Sequence, residues 1–142
     1  METLAVFERW HAGEIPPIAK LIGFRLVRFE PGEVLFELNA GLEHANPMGT
    51  LHGGILCDLG DAAMGTATAT TLKDGETFTT LELKINFLKP VWIAKLSAVG
   101  RVVRRGRTIV LNECEITDER GSLVAKLSGS CMILRGADAV GR

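Results

Sequence analysis

The chain has 142 residues, 46% of them hydrophobic and 23% charged, which suits one domain built around one core. Its 16 lysines and arginines against 17 aspartates and glutamates leave a net charge of -1, so no global field draws it to nucleic acid or to an anionic membrane. Tyrosine is absent and aromatic residues make up 6%, which gives no support to a base-stacking nucleic-acid surface.

Residues 2–12 set Leu4, Val6, Phe7 and Trp10 among Glu2, Glu8 and Arg9, the spacing of a short amphipathic helix. This acidic, interrupted start lacks the basic-then-apolar layout of a signal peptide, so a cytoplasmic protein is expected. Pro16 and Pro17 end the helix, and the residues up to Gly23 allow one further turn. Residues 1–22 thus read as an N-terminal helical segment of a single domain spanning 1–142, in which Phe7 and Trp10 either pack into the core or cover a pocket. The period then changes to two. Phe24 and Leu26, then Val34, Phe36 and Leu38, mark two strands joined at Glu30-Pro31-Gly32, a hairpin signature.

Residues 40–54 are rich in turn formers and read as a loop running into a helix, placed from Gly53 to Leu72. That helix has almost no polar face, as expected of a central, buried one, and Asp58 and Asp61 within it argue against a bilayer span. Its interior glycines, Gly60 and Gly65, call for close approach by whatever packs around it. After Lys73-Asp74-Gly75 the chain alternates through Leu81, Leu83, Ile85 and Phe87, then Leu96 and Ala98, then Ile109 and Leu111, then Leu123, Ala125 and Leu127. This predicts four further strands in meander order and a frayed tail over 136–142. The economical architecture is α+β, one antiparallel β-sheet wrapped around a long central helix.

The three cysteines, Cys57, Cys114 and Cys131, have no CxxC spacing and read as structural thiols. Three histidines without clustered ligands predict no metal site.

The polar groups that stand out lie at the start of the helix. The N–H groups of Gly53 and Gly54 at a helix N-terminus favour negative charge, and glycine lets a ligand atom approach closely. Asp61, an ionisable group in an alanine- and glycine-rich helix, is the candidate reactive carboxylate, with Asp58 one turn earlier in support. Gly53 and Asp61 are eight residues apart, about 12 Å along a helix. That is too far for both to act on one carbonyl. Two chains with antiparallel central helices on a two-fold axis would bring Gly53 of one beside Asp61 of the other, so the site calls for a homodimer.

The string Asn46…Gly49-Thr50-Leu51-His52-Gly53-Gly54, with Asp61 nine residues after the histidine, resembles the hotdog-fold acyl-CoA thioesterases of the phenylacetate-degradation (PaaI-like) type. Ile85-Asn86-Phe87-Leu88-Lys89-Pro90 and the turns at Gly106-Arg107 and Asp118–Gly121 extend the resemblance over about 23–134. It implies hydrolysis of a small aromatic or short-to-medium-chain acyl-CoA. Asp61 would be nucleophile or general base, the Gly53 N–H oxyanion donor, and Asn46 an orienting group for thioester or water. His52 would serve in proton transfer or in capping the turn. Thr80, with Thr79 one residue away, falls where relatives carry a hydroxyl near the attacking water. Coenzyme A would enter as part of the substrate, with no other cofactor, and Arg104, Arg105 and Arg107 could meet its phosphates. The resemblance also implies a dimer of dimers. Two alternatives remain at this stage: a non-catalytic acyl-CoA-binding protein of the same fold, and a hydratase or dehydratase acting on 2-enoyl thioesters.

Overall fold

The computed structural model describes residues 8–10 and 12–142. Of the helix expected over 2–12, Glu8, Arg9 and Trp10 are described and are helical, while the other positions through 7, Phe7 included, and position 11 lie outside the described residues. Trp10 is half-buried, its ring 5.2 Å from that of the fully buried Phe36, which is core packing. Helix α1 (Pro17–Ile22) has proline in its first turn and ends at Gly23, whose φ of 100° is the left-handed cap that glycine adopts without strain.

Strands β1 (Arg25–Glu30) and β2 (Glu33–Ala40) form the expected hairpin. The central helix α2 (Gly53–Ala69) begins where expected and stops three residues short of Leu72, where Thr70 and Thr71 turn their hydroxyls back onto the Ala67 and Thr68 carbonyls. Strands β3 (Glu76–Phe87), β4 (Ala94–Arg105), β5 (Ile109–Thr117) and β6 (Leu123–Arg135) complete one antiparallel sheet. Gly136–Ala139, within the segment read as a frayed tail, forms an exposed 3-10 turn.

The sheet order, β1-β2-β4-β5-β6-β3, corrects the simple meander. Strand β3 lies at the far edge, beside β6 rather than β4. Its exit is held by the start of β6, since the Leu88 and Lys89 N–H groups both donate to the Val124 carbonyl. The following segment contains Pro90 and crosses the end of the sheet, with the Val91 carbonyl accepting from the Leu51 N–H. A tight β3–β4 turn is thereby ruled out.

A second correction concerns β5. The sequence suggested Ile109 and Leu111 as its buried set, yet these are 45% and 46% exposed, and Val110, Asn112, Cys114 and Ile116 face the core. Both phases are apolar near the start of this strand, and Glu113 and Glu115 decide between them. Both carboxylates reach outward to Lys126, and a charge is far cheaper to hold in water than in the core.

The helix packs closely on the sheet. A Cβ on Gly60 would come within 2.4 Å of Leu127, and one on Gly100 within 2.3 Å of the Ala63 carbonyl oxygen. The close approach expected of Gly60 is therefore present, whereas Gly65 faces Phe78 at an ordinary 3.5 Å. Leu56, Leu59, Ala63 and Ala67 are buried against Phe36, Leu38, Leu96 and Ile116. The sheet covers only one side of α2. Asp58 and Asp61 lie exposed on the other, so in the single chain the helix is half-covered rather than enclosed.

Candidate active site

The loop before α2 is shaped by its own polar groups. Asn46 accepts the Met48 N–H at 2.9 Å and donates through Nδ2 to Thr50 Oγ1 at 2.6 Å, and the Asn46 N–H reaches the Thr50 carbonyl at 2.7 Å. Asn46 is therefore first a loop organiser that keeps one amide proton for a ligand. Below the loop, buried His44 accepts the Gly41 N–H on Nδ1 at 3.1 Å, which leaves Nε2 to donate to the Ile22 carbonyl at 2.7 Å. His44 is thus a neutral structural histidine.

His52 is the N-cap of α2, and its Nδ1 accepts the Gly54 N–H at 2.9 Å. Of the sequence alternatives for this histidine, the capping role is present. The N–H of Gly53, first residue of the helix, has no hydrogen-bond partner among the described residues. The ring of Phe87 lies against it, so close that a Cβ on Gly53 would come within 2.9 Å of the ring. Gly53 and Phe87, with Thr50, Leu56, Pro90 and Val91, line a cleft of about 460 Å³. An unsatisfied helix N-terminal N–H at the wall of an apolar cleft can stabilise a developing oxyanion.

Asp61 does not line that cleft. It sits two turns further along α2 on the open face. Although exposed in the single chain, its carboxyl is partly desolvated by the surrounding protein, and this, with the nearby Asp58 carboxylate, pushes its pKa above the usual carboxylate range. The single chain thus brings Gly53, Asn46 and His52 to one helix end and leaves Asp61 apart from them. The same two effects, burial first and the Asp58 and Asp61 charges after it, raise the half-buried Cys57 thiol. Cys114 is fully buried and pushed up to about 12 by burial, which fits the structural-thiol reading.

Thr80 pairs with Cys131 across β3 and β6, and Thr79 with Met132. Cys131 is buried on the helix side, so Thr80 shares the inner face and Thr79 the outer one. A bulge between Thr80 and Glu82 leaves Leu81 unpaired, which reverses the inward parity of the strand at this point.

The arginine hairpin stands at the other end of the sheet. Arg105 begins eleven residues beyond Ala94, about 36 Å along a strand. Arg105 is committed to Glu76, at 2.7 Å, and to the Gly106 carbonyl, so it is no free phosphate ligand. Arg135 also holds Glu76, at 2.6 Å. Burial raises the Glu76 carboxyl, but the Lys73 N–H and the two guanidinium groups outweigh it and leave the pKa lowered. Arg104 and Arg107 are exposed.

Sequence reasoning passed over Phe87 and Thr50. The signal for Thr50 was its place inside the Gly49–Gly54 string, and that for Phe87 its place in the Ile85–Pro90 string as well as in the strand periodicity. Among the described residues no three His, Cys, Asp or Glu side chains converge as metal ligands, and no helix is long and apolar enough to cross a membrane.

A family model described as Thioesterase superfamily matches residues 48–125, from the loop before α2 to the start of β6. A Saccharolobus solfataricus protein described as an esterase is 37% identical over 118 residues, covering 83% of this chain and 84% of the relative. Human acyl-coenzyme A thioesterase 13 is 28% identical over 103 residues, covering 71% and 73%. The solved structure of the E. coli PaaI protein from the phenylacetic acid degradation operon superposes with a TM-score of 0.83 at 22% identity, covering 96% of this chain and 98% of that one. The sheet with its one main helix is the hotdog fold of these neighbours.

Proposed function

Since this chain belongs to the thioesterase superfamily and is a thioester hydrolase, we propose that its substrate is a small aromatic or short-to-medium-chain acyl-CoA. Water or Asp61 itself attacks the thioester carbon, with Asp61 as general base or nucleophile, and the Gly53 N–H of the partner subunit receives the oxyanion. Asn46 and Thr80 orient thioester and water, and His52 holds the Gly53-Gly54 turn in place. No cofactor beyond the coenzyme A of the substrate enters the scheme.

The observation that carries this reading is the separation of the two halves of the site. The unpartnered Gly53 N–H lines the cleft, while Asp61 stands on an open helix face. A second copy completes both. The unpaired edge of β3, with Leu81 49% and Phe87 58% exposed, supports a two-fold pairing along that strand. Such pairing also sets the Arg104 and Arg107 hairpin of one chain beside the Phe87 end of the other, where coenzyme A phosphates can be met. A dimer of dimers is the assembly proposed, and the cytoplasm the location.

Thiol release from phenylacetyl-, benzoyl-, hexanoyl- and palmitoyl-CoA tests this reading, with the wild type beside a folded Asp61→Asn variant. The expected result is turnover of the smaller members and a loss of at least about 100-fold in the variant, some 2.7 kcal/mol of barrier. Undiminished turnover in the variant removes Asp61 from the mechanism. No wild-type turnover on any member overturns the substrate class.

A further inference from the structure

Four elements meet in a small polar cluster at the margin of the apolar interior, with three members buried and the fourth, Thr80, exposed at the sheet edge. Asn112 of β5, Thr68 of α2 and Cys131 of β6 are 1%, 0% and 1% exposed, and Thr80 of β3 reaches them from the open edge. Asn112 Nδ2 donates to Thr68 Oγ1 at 2.9 Å and lies 3.4 Å from Cys131 Sγ. Thr80 Oγ1 lies 3.8 Å from the same sulfur. Asn112 Oδ1 is buried with no hydrogen-bond partner among the described residues. It lies over Gly129, where a Cβ would come within 2.9 Å of it. An amide left half-satisfied in a core is costly, and leucine would fill a similar volume without that penalty. Packing alone therefore does not account for asparagine at this position.

Counting protons gives the cluster a direction. Thr68 has one hydroxyl proton, and the Met64 carbonyl at 3.0 Å is a far better acceptor than Cys131 Sγ at 4.0 Å. Asn112 has two amide protons. One goes to Thr68, and the other lies 3.4 Å from both Cys131 Sγ and the Met64 carbonyl, whose two lone pairs are taken by the helical Thr68 N–H and the Thr68 hydroxyl, so the sulfur is the open acceptor. With the sulfur accepting from Asn112, the S–H points at Thr80 Oγ1. The Thr80 proton then points away from the core, to the open face of the edge strand. S–H···O bonds are weak, so this one orients rather than anchors.

We propose that Asn112 and Cys131 are positioning residues for the hydrolysis, which aim the Thr80 hydroxyl proton at the attacking water or the thioester. This rests on the acyl-CoA hydrolase reading and on the place of Thr80 in that site.

A double-mutant cycle tests it. Thr80→Val is expected to lower kcat about 10-fold, and Cys131→Ala or Asn112→Leu about 3- to 5-fold, with KM nearly unchanged. Cys131→Ser, which keeps a donor, restores most of the loss, and Asn112→Leu keeps the thermal midpoint of the wild type. In a Thr80→Val background, neither Cys131→Ala nor Asn112→Leu lowers kcat further. Equal fractional losses in both backgrounds overturn the proposal, as does a kcat that Thr80→Val leaves unchanged. If Asp61→Asn is inactive while the cycle is additive, the positioning inference fails alone. If Asp61→Asn stays active, the reading beneath it fails. A second readout needs no turnover. In a folded Cys57→Ala, Cys114→Ala chain, the infrared S–H stretch of Cys131 is expected to move to higher frequency on Thr80→Val, and an unmoved band overturns the proposal.

Discussion

His52 Nδ1 accepts the Gly54 N–H at 2.9 Å, while the adjacent Gly53 N–H has no hydrogen-bond partner among the described residues. Two successive N–H groups at one helix end thus differ, one holding the turn and the other left for the oxyanion in the proposed mechanism. The cap needs an unprotonated Nδ1, so His52 serves in its neutral form with the proton on Nε2.

Replacing His52 should therefore act on the turn before it acts on the chemistry. His52→Ala is expected to cost about 1 kcal/mol of stability, the usual worth of an N-cap. His52→Asn, a strong capping residue, should recover most of that cost. Thermal denaturation of the three proteins checks this. A His52→Asn variant with wild-type stability and no activity would assign the histidine a chemical role as well.

The proposed division of the site between two chains predicts complementation. Asp61→Asn removes the carboxylate from one half, and Gly53→Pro removes the N–H from the other at a first-turn position whose backbone tolerates proline, with the exposed Phe87 ring displaced by the added Cβ. Each variant alone should be inactive. Heterodimers formed by subunit exchange should contain one intact site and regain activity, measured as thiol release after mixing. No recovery from folded, exchanging variants would show that the site does not cross subunits.

With Asp61 as the proposed base or nucleophile, its raised pKa sets the expected pH dependence. Desolvation and the Asp58 carboxylate both disfavour its charged form, so kcat/KM should rise with pH through an inflection above the ordinary aspartate value of about 3.9. Asp58→Asn should shift that inflection downward. Because the folded pKa lies above the unfolded one, ionisation of Asp61 works against folding as pH rises through that interval. Asp61→Asn should thus be no less stable than wild type at neutral pH, and a denaturant titration of both reads this directly.

Lys89 and Asp118 tie the wall of the cleft to the β5–β6 turn. Their side chains meet at 2.5 Å, and Asp118 also accepts the Arg120 and Ser122 N–H groups at 3.0 Å each. The Lys89 hydrogen bond above all holds the Asp118 carboxyl below its usual range. The sign is opposite to that of Asp61: the stabilisation is present above the unfolded aspartate pKa and is lost as pH falls through the lower folded value, so acid unfolding should set in below about pH 4. Asp118→Asn should lower the neutral-pH thermal midpoint and flatten this acid dependence, as melting curves from pH 7 downward would register.

Much of this protein was legible from neighbours along the chain. Period-two and helical spacings located the strands and α2, Gly23 and the Glu30-Pro31-Gly32 turn marked boundaries, and the eight-residue interval from Gly53 to Asp61 is where the proposal of a site shared between chains starts. These are local properties, set by which residues stand two, four or eight positions apart. Other features depended on partners distant in sequence. Alternation through Leu81, Leu83 and Ile85 would turn Thr79 inward, and only the bulge opposite β6 brings Thr80 to the inner face instead. Outward glutamates and their Lys126 partner chose the phase of β5 and so hid Asn112 in the core. Glu76 drew Arg105 out of a cluster that in the sequence looked uniform. The edge position of β3 followed from its ladder with β6. Parity beyond a bulge, strand order and ion-pair choice are decided by contacts between distant segments, and a single sequence encodes those only through the folded whole.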